Sequence, residues 1–521
     1  MTTDLRKLQR LPRQLARWQN AQQQLVGGQP GPALASYRDL AQRFPRVAQL
    51  WFELGIAEMG ALNFALAERA FRQAGELAPR DVSLLVLLGQ QFHRLRRLDQ
   101  ARACFERAVA ADPGSVHARL SLAAWLERER RLDAAWECVE ACLTQHPRDP
   151  QALCVRALLL HRQGRNAEAE TVLRDLLQTG SLEPSVGYSS RHLLSVVLDA
   201  LGQHTEALRW LGEAKTQARG MANTARMEQD YDRADRRRRD LLAEFTPETI
   251  QRWRAEGPAF PSQRPLAFLG GHPRSGTTLL EQILGAHPDL LAIDESEAFP
   301  QEVWYQLAPM QASQPLKLKE LNDLSPARRS ELRERYLKSL LRELPGGANA
   351  GVWLDKNPSP TAALHLWLRL FPDSKVIIAL RDPRDVIVSC FFQNLVLTPT
   401  NANFLSLERT VKHYADLMDV WLRLRELGGF DWLETRYEDL VTNMETMGQR
   451  VTAFLGLQWN SAQARFHETA ARKFVFSPTY NDAAQLVHDR AVGRWHHYAA
   501  ALAPFRQRLA PYCRAFGYAT E

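Results

Sequence analysis

The chain has 521 residues, of which 45% are apolar and 24% charged, with 28 glycines and 28 prolines. That composition excludes a disordered tail, a collagen-like chain and a disulfide-stapled mini-domain, and at roughly 150 residues per domain the length gives about three domain-equivalents, so a single small binding module is excluded as well. The formal charge of +7 favours acidic partners in general, whether nucleic acid, a membrane surface or a small polyanion, without choosing among them.

The N-terminal run MTTDLRKLQRLPRQLARW is basic but has no apolar centre to act as a signal peptide. No later stretch approaches the roughly 20 apolar residues of a transmembrane segment. Cys104, Cys138, Cys142, Cys154, Cys390 and Cys513 make no CxxC pair and no disulfide framework, which fits a reducing compartment. The expectation is a cytoplasmic protein.

Proline recurs at Pro45, Pro79, Pro113 and Pro147, and alanine at Ala67, Ala101, Ala135 and Ala169, each series spaced by 34 residues. In the same frame lie small residues, Gly55, Gly89, Ala123 and Ala157, and large ones, Phe71, Phe105, Val139 and Leu173. Small residues let two helices approach, large ones fill the groove between hairpins, and proline ends the second helix. The pattern resembles the tetratricopeptide repeat, a helix-turn-helix unit. A weaker copy supplies Ala33, Tyr37 and Pro45, and a shifted one supplies Ala207 and Leu211, giving five or six hairpins over residues 14 to 218. Such a solenoid binds a peptide or protein on its concave face, or braces a neighbouring domain, or joins two subunits of a homodimer. The residues leave these alternatives open. Cys138 and Cys142 are four apart on a helix, but Cys142 takes an alanine position of the repeat, so the pair reads as packing rather than metal ligation.

Residues 219–258 read as a polar helical connector. Its run Arg236 to Arg239 is expected to be a solvated helix face rather than a nucleic-acid patch, and Thr246 with Pro247 begins a further helix. From Pro258 onward the repeat is lost, and short apolar runs alternate with helical patterns, as in parallel-sheet units. The expected organisation is an all-α repeat solenoid over 1–218, the connector over 219–258 and an α/β domain over 259–521.

That domain opens with PLAFLGGHPRSGTTLLEQILGAHP, an apolar strand at Leu266 to Leu269, a glycine-containing turn, then a helix from Thr277. Loop N–H groups and a helix N-terminus converging on one turn make an anion cradle, to which Arg274 adds a charged fork and Thr277 and Thr278 add hydroxyls. The form G-x-x-x-x-G-T-T lacks the lysine of a nucleotide-triphosphate loop, because Thr277 stands in its place, which argues against a magnesium-dependent ATPase or GTPase.

PRSGTT, Pro273 to Thr278, resembles the 5'-phosphosulfate loop of sulfotransferases that use 3'-phosphoadenosine 5'-phosphosulfate (PAPS). KVIIALRDPRDVIVSCF, Lys375 to Phe391, is similar to the family's 3'-phosphate strand and helix. RYEDLV, Arg436 to Val441, and VFSPTY with VGRWHHY resemble its later motifs. The similarity covers residues 260 to 503, and with the repeats in front the whole chain resembles bacterial-type repeat-fused sulfotransferases. It implies a three-layer α/β/α domain with a parallel sheet and a P-loop-like phosphate loop. It also implies that Arg274, Ser275, Gly276, Thr277 and Thr278 hold the 5'-phosphosulfate, that Arg381, Ser389 and Arg494 hold the 3'-phosphate, and that Tyr437 lies near the adenine or its ribose. Ala471 and Phe474 stand where the family commonly has Ser and Gln.

Transfer to a hydroxyl needs a base within hydrogen-bond reach and a cation at the departing oxygen. By the same resemblance, Glu295 in AIDESEAF matches the catalytic glutamate of tyrosylprotein sulfotransferases, and Lys356 in WLDKNP matches the catalytic lysine, with Arg274 sharing its work. Asp294 and Glu297 are close enough to share the base's role, and glycine is usual near Asp294. His287 reads as a structural turn residue; His496 and His497 face either donor or solvent. No HExxH or Cys/His spacing points to a metal. The expected reaction moves the sulfuryl group of PAPS to a hydroxyl acceptor, preferentially a peptide or protein tyrosine recruited by the repeats, leaving 3',5'-bisphosphoadenosine (PAP). A small-molecule, lipid or saccharide acceptor, a nucleotide kinase and a non-catalytic nucleotide-binding scaffold are the alternatives. Phe392 to Leu405 is a candidate lid.

Overall fold

A computed structural model describes residues 3–26, 30–61, 63–257, 264–309, 314–342, 351–394, 396–470 and 487–520. Ala471, Phe474 and the VFSPTY segment lie outside them. The chain separates into two compact units, Met1–Thr179 and Gly180–Glu521.

In the first unit, four helical pairs begin at Ala48, Val82, Val116 and Pro150, 34 residues apart, preceded by a pair at Pro12–Val26 and Pro30–Arg43. The second helices end at Arg43, Leu77, Ala111 and Gln145, two residues before each periodic proline. All four periodic alanines are fully buried. The small and large series are coupled. A Cβ on Gly55 would sit 2.4 Å from Phe71 Cε1, and one on Gly89 2.7 Å from Phe105 Cε1. Where the large residue shrinks to Val139 or Leu173, the facing residue grows to Ala123 or Ala157, so the volume at the contact is conserved. Between the paired helices the chain passes through a left-handed residue at Arg96, Arg130 and Gly164, with φ of 58°, 61° and 79°. Only the last is the glycine this conformation favours.

The second unit begins with one more helical hairpin, Pro184–Ala200 and His204–Met221, in which Ala207 and Leu211 are fully buried. The long helix Thr224–Ala243 and the short helix Pro247–Ala255 follow, the latter with Pro247 in its first position as expected. Arg236 to Arg239 is not uniformly solvated. Arg238 is 12% exposed and pairs with Asp235, itself 1% exposed, while Arg239 reaches the same carboxylate from outside. A buried carboxylate must be paired, and that requirement turns one arginine of the run inward.

Five strands then form a parallel sheet: β1 (Leu266–Gly271), β2 (Leu290–Asp294), β3 (Val352–Lys356), β4 (Lys375–Leu380) and β5 (Trp432–Arg436), in the order β2-β3-β1-β4-β5. Both faces are covered, as near-continuous apolar strands require. Ala267 and Leu269 of β1 pack with Leu280, Ile283 and Leu284 of helix Thr277–Gly285. Phe268, pointing the other way, meets Trp367, which also contacts Phe299, Tyr336 and Phe371. Among the described residues, no helix is long and apolar enough to cross a membrane.

Candidate functional site

Every strand delivers a candidate residue at its carboxyl end. Arg274 follows β1, Glu295 follows β2, Lys356 closes β3, Arg381 follows β4 and Tyr437 follows β5. This is where open parallel sheets place their sites, because the chain reverses its direction of winding around β1 and leaves a crevice there.

The turn after β1 is tight. Arg274 and Gly276 have φ of 75° and 90°, Ser275 N–H donates to His272 O at 3.2 Å, and Thr277 and Thr278 are buried in the first helical turn. A Cβ on Gly276 would lie 2.5 Å from Tyr437 Cδ2, so the position admits only glycine. The loop is buttressed from behind by a feature the sequence reading missed. His272 Nδ1 pairs with Pro273 O at 2.8 Å and its Nε2 with His413 Nδ1 at 2.9 Å. Burial pushes His272 down to about 4, so it is neutral; its Nδ1–H must donate to the carbonyl, and Nε2 then accepts from His413.

Arg274 Nε donates to Ser389 Oγ at 2.9 Å, and Arg381 Nη1 donates to Arg274 O at 3.2 Å. The Arg381 guanidinium lies 4.9 Å from the centre of the Tyr437 ring and also donates to Ala491 O. Its Nε is buried and has no hydrogen-bond partner among the described residues. Arg274, Ser389, Arg381, Tyr437 and the loop therefore converge. Arg494 is held differently: its Nη2 donates to Asp199 Oδ2 at 2.7 Å, and its guanidinium rests 4.4 Å over the Phe392 ring.

On the other side of β1, Lys356 Nζ is fully buried, bonded to Asp294 and 3.3 Å from Glu295 Oε1. Burial opposes its charge, but Asp294, Glu295 and Glu281 outweigh it and raise the ammonium's affinity for its proton. Glu295 sits at a turn with φ of 50°, and its N–H donates to Lys356 O at 2.7 Å. Asn357 Nδ2 donates to Ser296 O at 2.9 Å, tying the two strand ends together. Asp294 and Glu295 thus divide the labour: Asp294 is buried against the lysine, whereas the Glu295 side chain is 31% exposed.

A cavity of about 850 Å³ is lined in part by Pro273, Asn357 and Glu297, near neighbours in the chain of Arg274, Lys356 and Glu295. Trp304, Tyr305 and Phe404 wall it, and Arg237 and Arg238 enter from helix Thr224–Ala243. His365, also on the wall, is pushed down to about 3 by burial and then by Arg238. The stretch expected to form a lid is built into this wall: Thr398 to Asn401 line the cavity, and Ala402, Phe404 and Leu405 are buried. His287 is a turn residue, accepting from Asp289 N–H at 3.0 Å and donating to Gln458 O at 2.8 Å. His496 stacks on Trp495, and His497 on His204.

Residues 265–461 match the family model described as the sulfotransferase family, and residues within 54–184 match that of the tetratricopeptide repeat. An uncharacterised protein of Aquifex aeolicus is 28% identical over 344 residues, covering 64% of this chain and 43% of its own length. Protein-tyrosine sulfotransferase A of Caenorhabditis elegans is 25% identical over 226 residues (43% of this chain, 58% of that protein), and protein-tyrosine sulfotransferase 1 of Homo sapiens is 26% identical over 219 (40% and 56%). The chain spans about half the length of the curated relatives it matches. A repeat region is therefore followed by a distinct domain similar, at low identity, to known tyrosine sulfotransferases.

Proposed function

We propose that this protein is a PAPS-dependent sulfotransferase acting on a hydroxyl acceptor, preferentially a peptide or protein tyrosine. The observation that carries the reading is the buried Lys356, in register with Leu269 of the strand that leads into the loop Arg274–Thr278 and 3.3 Å from the partly exposed Glu295. The donor set suits a dianionic nucleotide. The unpartnered Arg381 Nε, the Ser389 hydroxyl and the glycine-only turn at Gly276 are what a second phosphate and a close backbone approach require.

When bound, PAPS supplies the sulfuryl group. The chain's own residues do the rest. Arg274, Ser275, Gly276, Thr277 and Thr278 would hold the 5'-phosphosulfate, Arg381, Ser389 and Arg494 the 3'-phosphate, and Tyr437 the adenosine. Glu295 takes the proton from the acceptor hydroxyl, and Lys356 with Arg274 stabilises negative charge as it develops. The cavity beyond Asn357 receives the acceptor, and the repeats present it.

The experiment is transfer of sulfur-labelled PAPS into a cell extract, comparing wild type with Glu295→Ala and separating macromolecules from small metabolites. Label in a protein band that disappears with the variant is expected. Label confined to small molecules would replace the peptide acceptor by a small one, and no transfer by a protein that still binds PAP would leave a scaffold.

A further inference from the structure

The hairpin that opens the second unit makes contacts no repeat needs. Tyr188 Oη donates to Asn394 Oδ1 at 2.9 Å, His192 Nε2 donates to Phe392 O at 2.9 Å, and Lys215 Nζ donates to Gln393 O at 2.7 Å. All three partners lie just past the helix Pro383–Phe391, which carries Ser389. The last carbonyls of a helix have no internal partner, so a buried lysine amino group and an imidazole N–H placed there satisfy acceptors at its end.

The same hairpin holds the segment after residue 487. Asp199, near the end of its first helix, accepts from Tyr498 Oη through Oδ1 and from Arg494 Nη2 through Oδ2. His204 Nδ1 lies 3.3 Å from Asp199 Oδ1, and its ring stacks on His497 with centroids 4.0 Å apart. The backbone around Arg494 is pinned independently, since Gly493 N–H and Trp495 N–H both donate to the Asp385 carboxylate at 2.7 and 2.8 Å. Asp199 thus acts on the Arg494 side chain rather than on its backbone. It takes one nitrogen of a planar fork whose other edge is suited to a second anion.

We propose that Asp199 is a positioning residue for the 3'-phosphate of the donor, acting through Arg494, and that the hairpin Pro184–Met221 is a working part of the sulfotransferase unit rather than the last repeat of the solenoid. This rests on the donor reading given above. A free arginine side chain gives up rotamer entropy, at a cost in affinity, when it is fixed on a phosphate. Asp199 and the Phe392 ring meet that cost before the ligand arrives.

The test is calorimetric binding of PAP and of adenosine 5'-monophosphate, which lacks the 3'-phosphate, to the full chain. Wild type should bind PAP the more tightly; equal binding overturns the donor reading itself. In Asp199→Asn the PAP dissociation constant should rise about tenfold, with that of the monophosphate unchanged and the melting temperature preserved. Asp199→Glu, which keeps the charge, should show a smaller rise. In an Arg494→Ala background the Asp199 change should add nothing, and Asp199→Glu serves in both backgrounds if Asp199→Asn folds poorly. Unchanged PAP affinity, equal losses for both nucleotides, or additive losses in the double variant would each overturn the assignment.

Discussion

Asp294 and Lys356 stand in register on the neighbouring parallel strands β2 and β3, both buried, and the carboxylate clasps the ammonium at the carboxyl edge of the sheet. Glu295, one residue further, swings out through a left-handed turn and touches the same ammonium from the solvent side. Two adjacent carboxylates thus share one lysine with very different exposure.

Removing them should therefore have opposite signatures. Asp294→Asn strips a buried cation of its closest anion and should cost about 3 kcal/mol of stability, read as a lowered melting temperature. Glu295→Gln breaks only a partly exposed contact, so stability should change by less than about 1 kcal/mol, while sulfuryl transfer should fall by about 100-fold or more. An active Glu295→Gln enzyme would remove Glu295 as the base.

The repeat contacts predict a compensation. Gly55→Ala places a methyl 2.4 Å from Phe71 Cε1 and should destabilise by about 1–3 kcal/mol. Phe71→Val alone leaves a void and should cost about as much. The pair together recreates the Ala123 and Val139 contact found two repeats later, so the double variant should lose less than the sum by about 1 kcal/mol or more. Denaturant unfolding of the repeat unit measures it, and simple additivity would show that the two series are not coupled.

Lys215 predicts a pH dependence. Burial pushes its ammonium down to about 7. Between that value and the ordinary lysine value of about 10.4 the unfolded chain binds the proton and the folded chain does not, so stability contributed at this site rises with pH across the window. Below about 7 both states are protonated and the burial penalty is at its full size. The melting temperature of wild type relative to Lys215→Met should shift in favour of wild type between pH 7 and pH 9.5 by about a few degrees. A difference that does not move with pH would mean that Lys215 is not held deprotonated.

Much of the site could be read from the sequence because its residues follow strands. A short apolar run ending in a loop marks Arg274, but Lys356, Arg381 and Tyr437 are singled out through the resemblance, and the sheet then shows each at the carboxyl end of its strand. The neutral pair His272 and His413 could not be read in this way, since 141 residues separate the two. The role of Asp294 was open for a similar reason: its partner is fixed by strand register, and register is a property of the assembled sheet. The arginine run at 236–239 looked like a solvated face because Asp235 gives no sign in sequence that it is buried.

What the sequence determined by itself was periodicity and local geometry. A 34-residue repeat of small and large residues dictates helical hairpins, and an apolar run, a glycine and a helical pattern dictate the strand, tight turn and helix at 266–285, because both depend on neighbours a few residues to one period away. Only the tertiary structure decided that the hairpin Pro184–Met221, repeat-like in its own residues, packs within the second unit. It also decided that Asp199 meets Arg494 across 295 positions. Such pairings are set by burial and by the need to satisfy buried charge, and those are properties of the folded core, which no local pattern encodes.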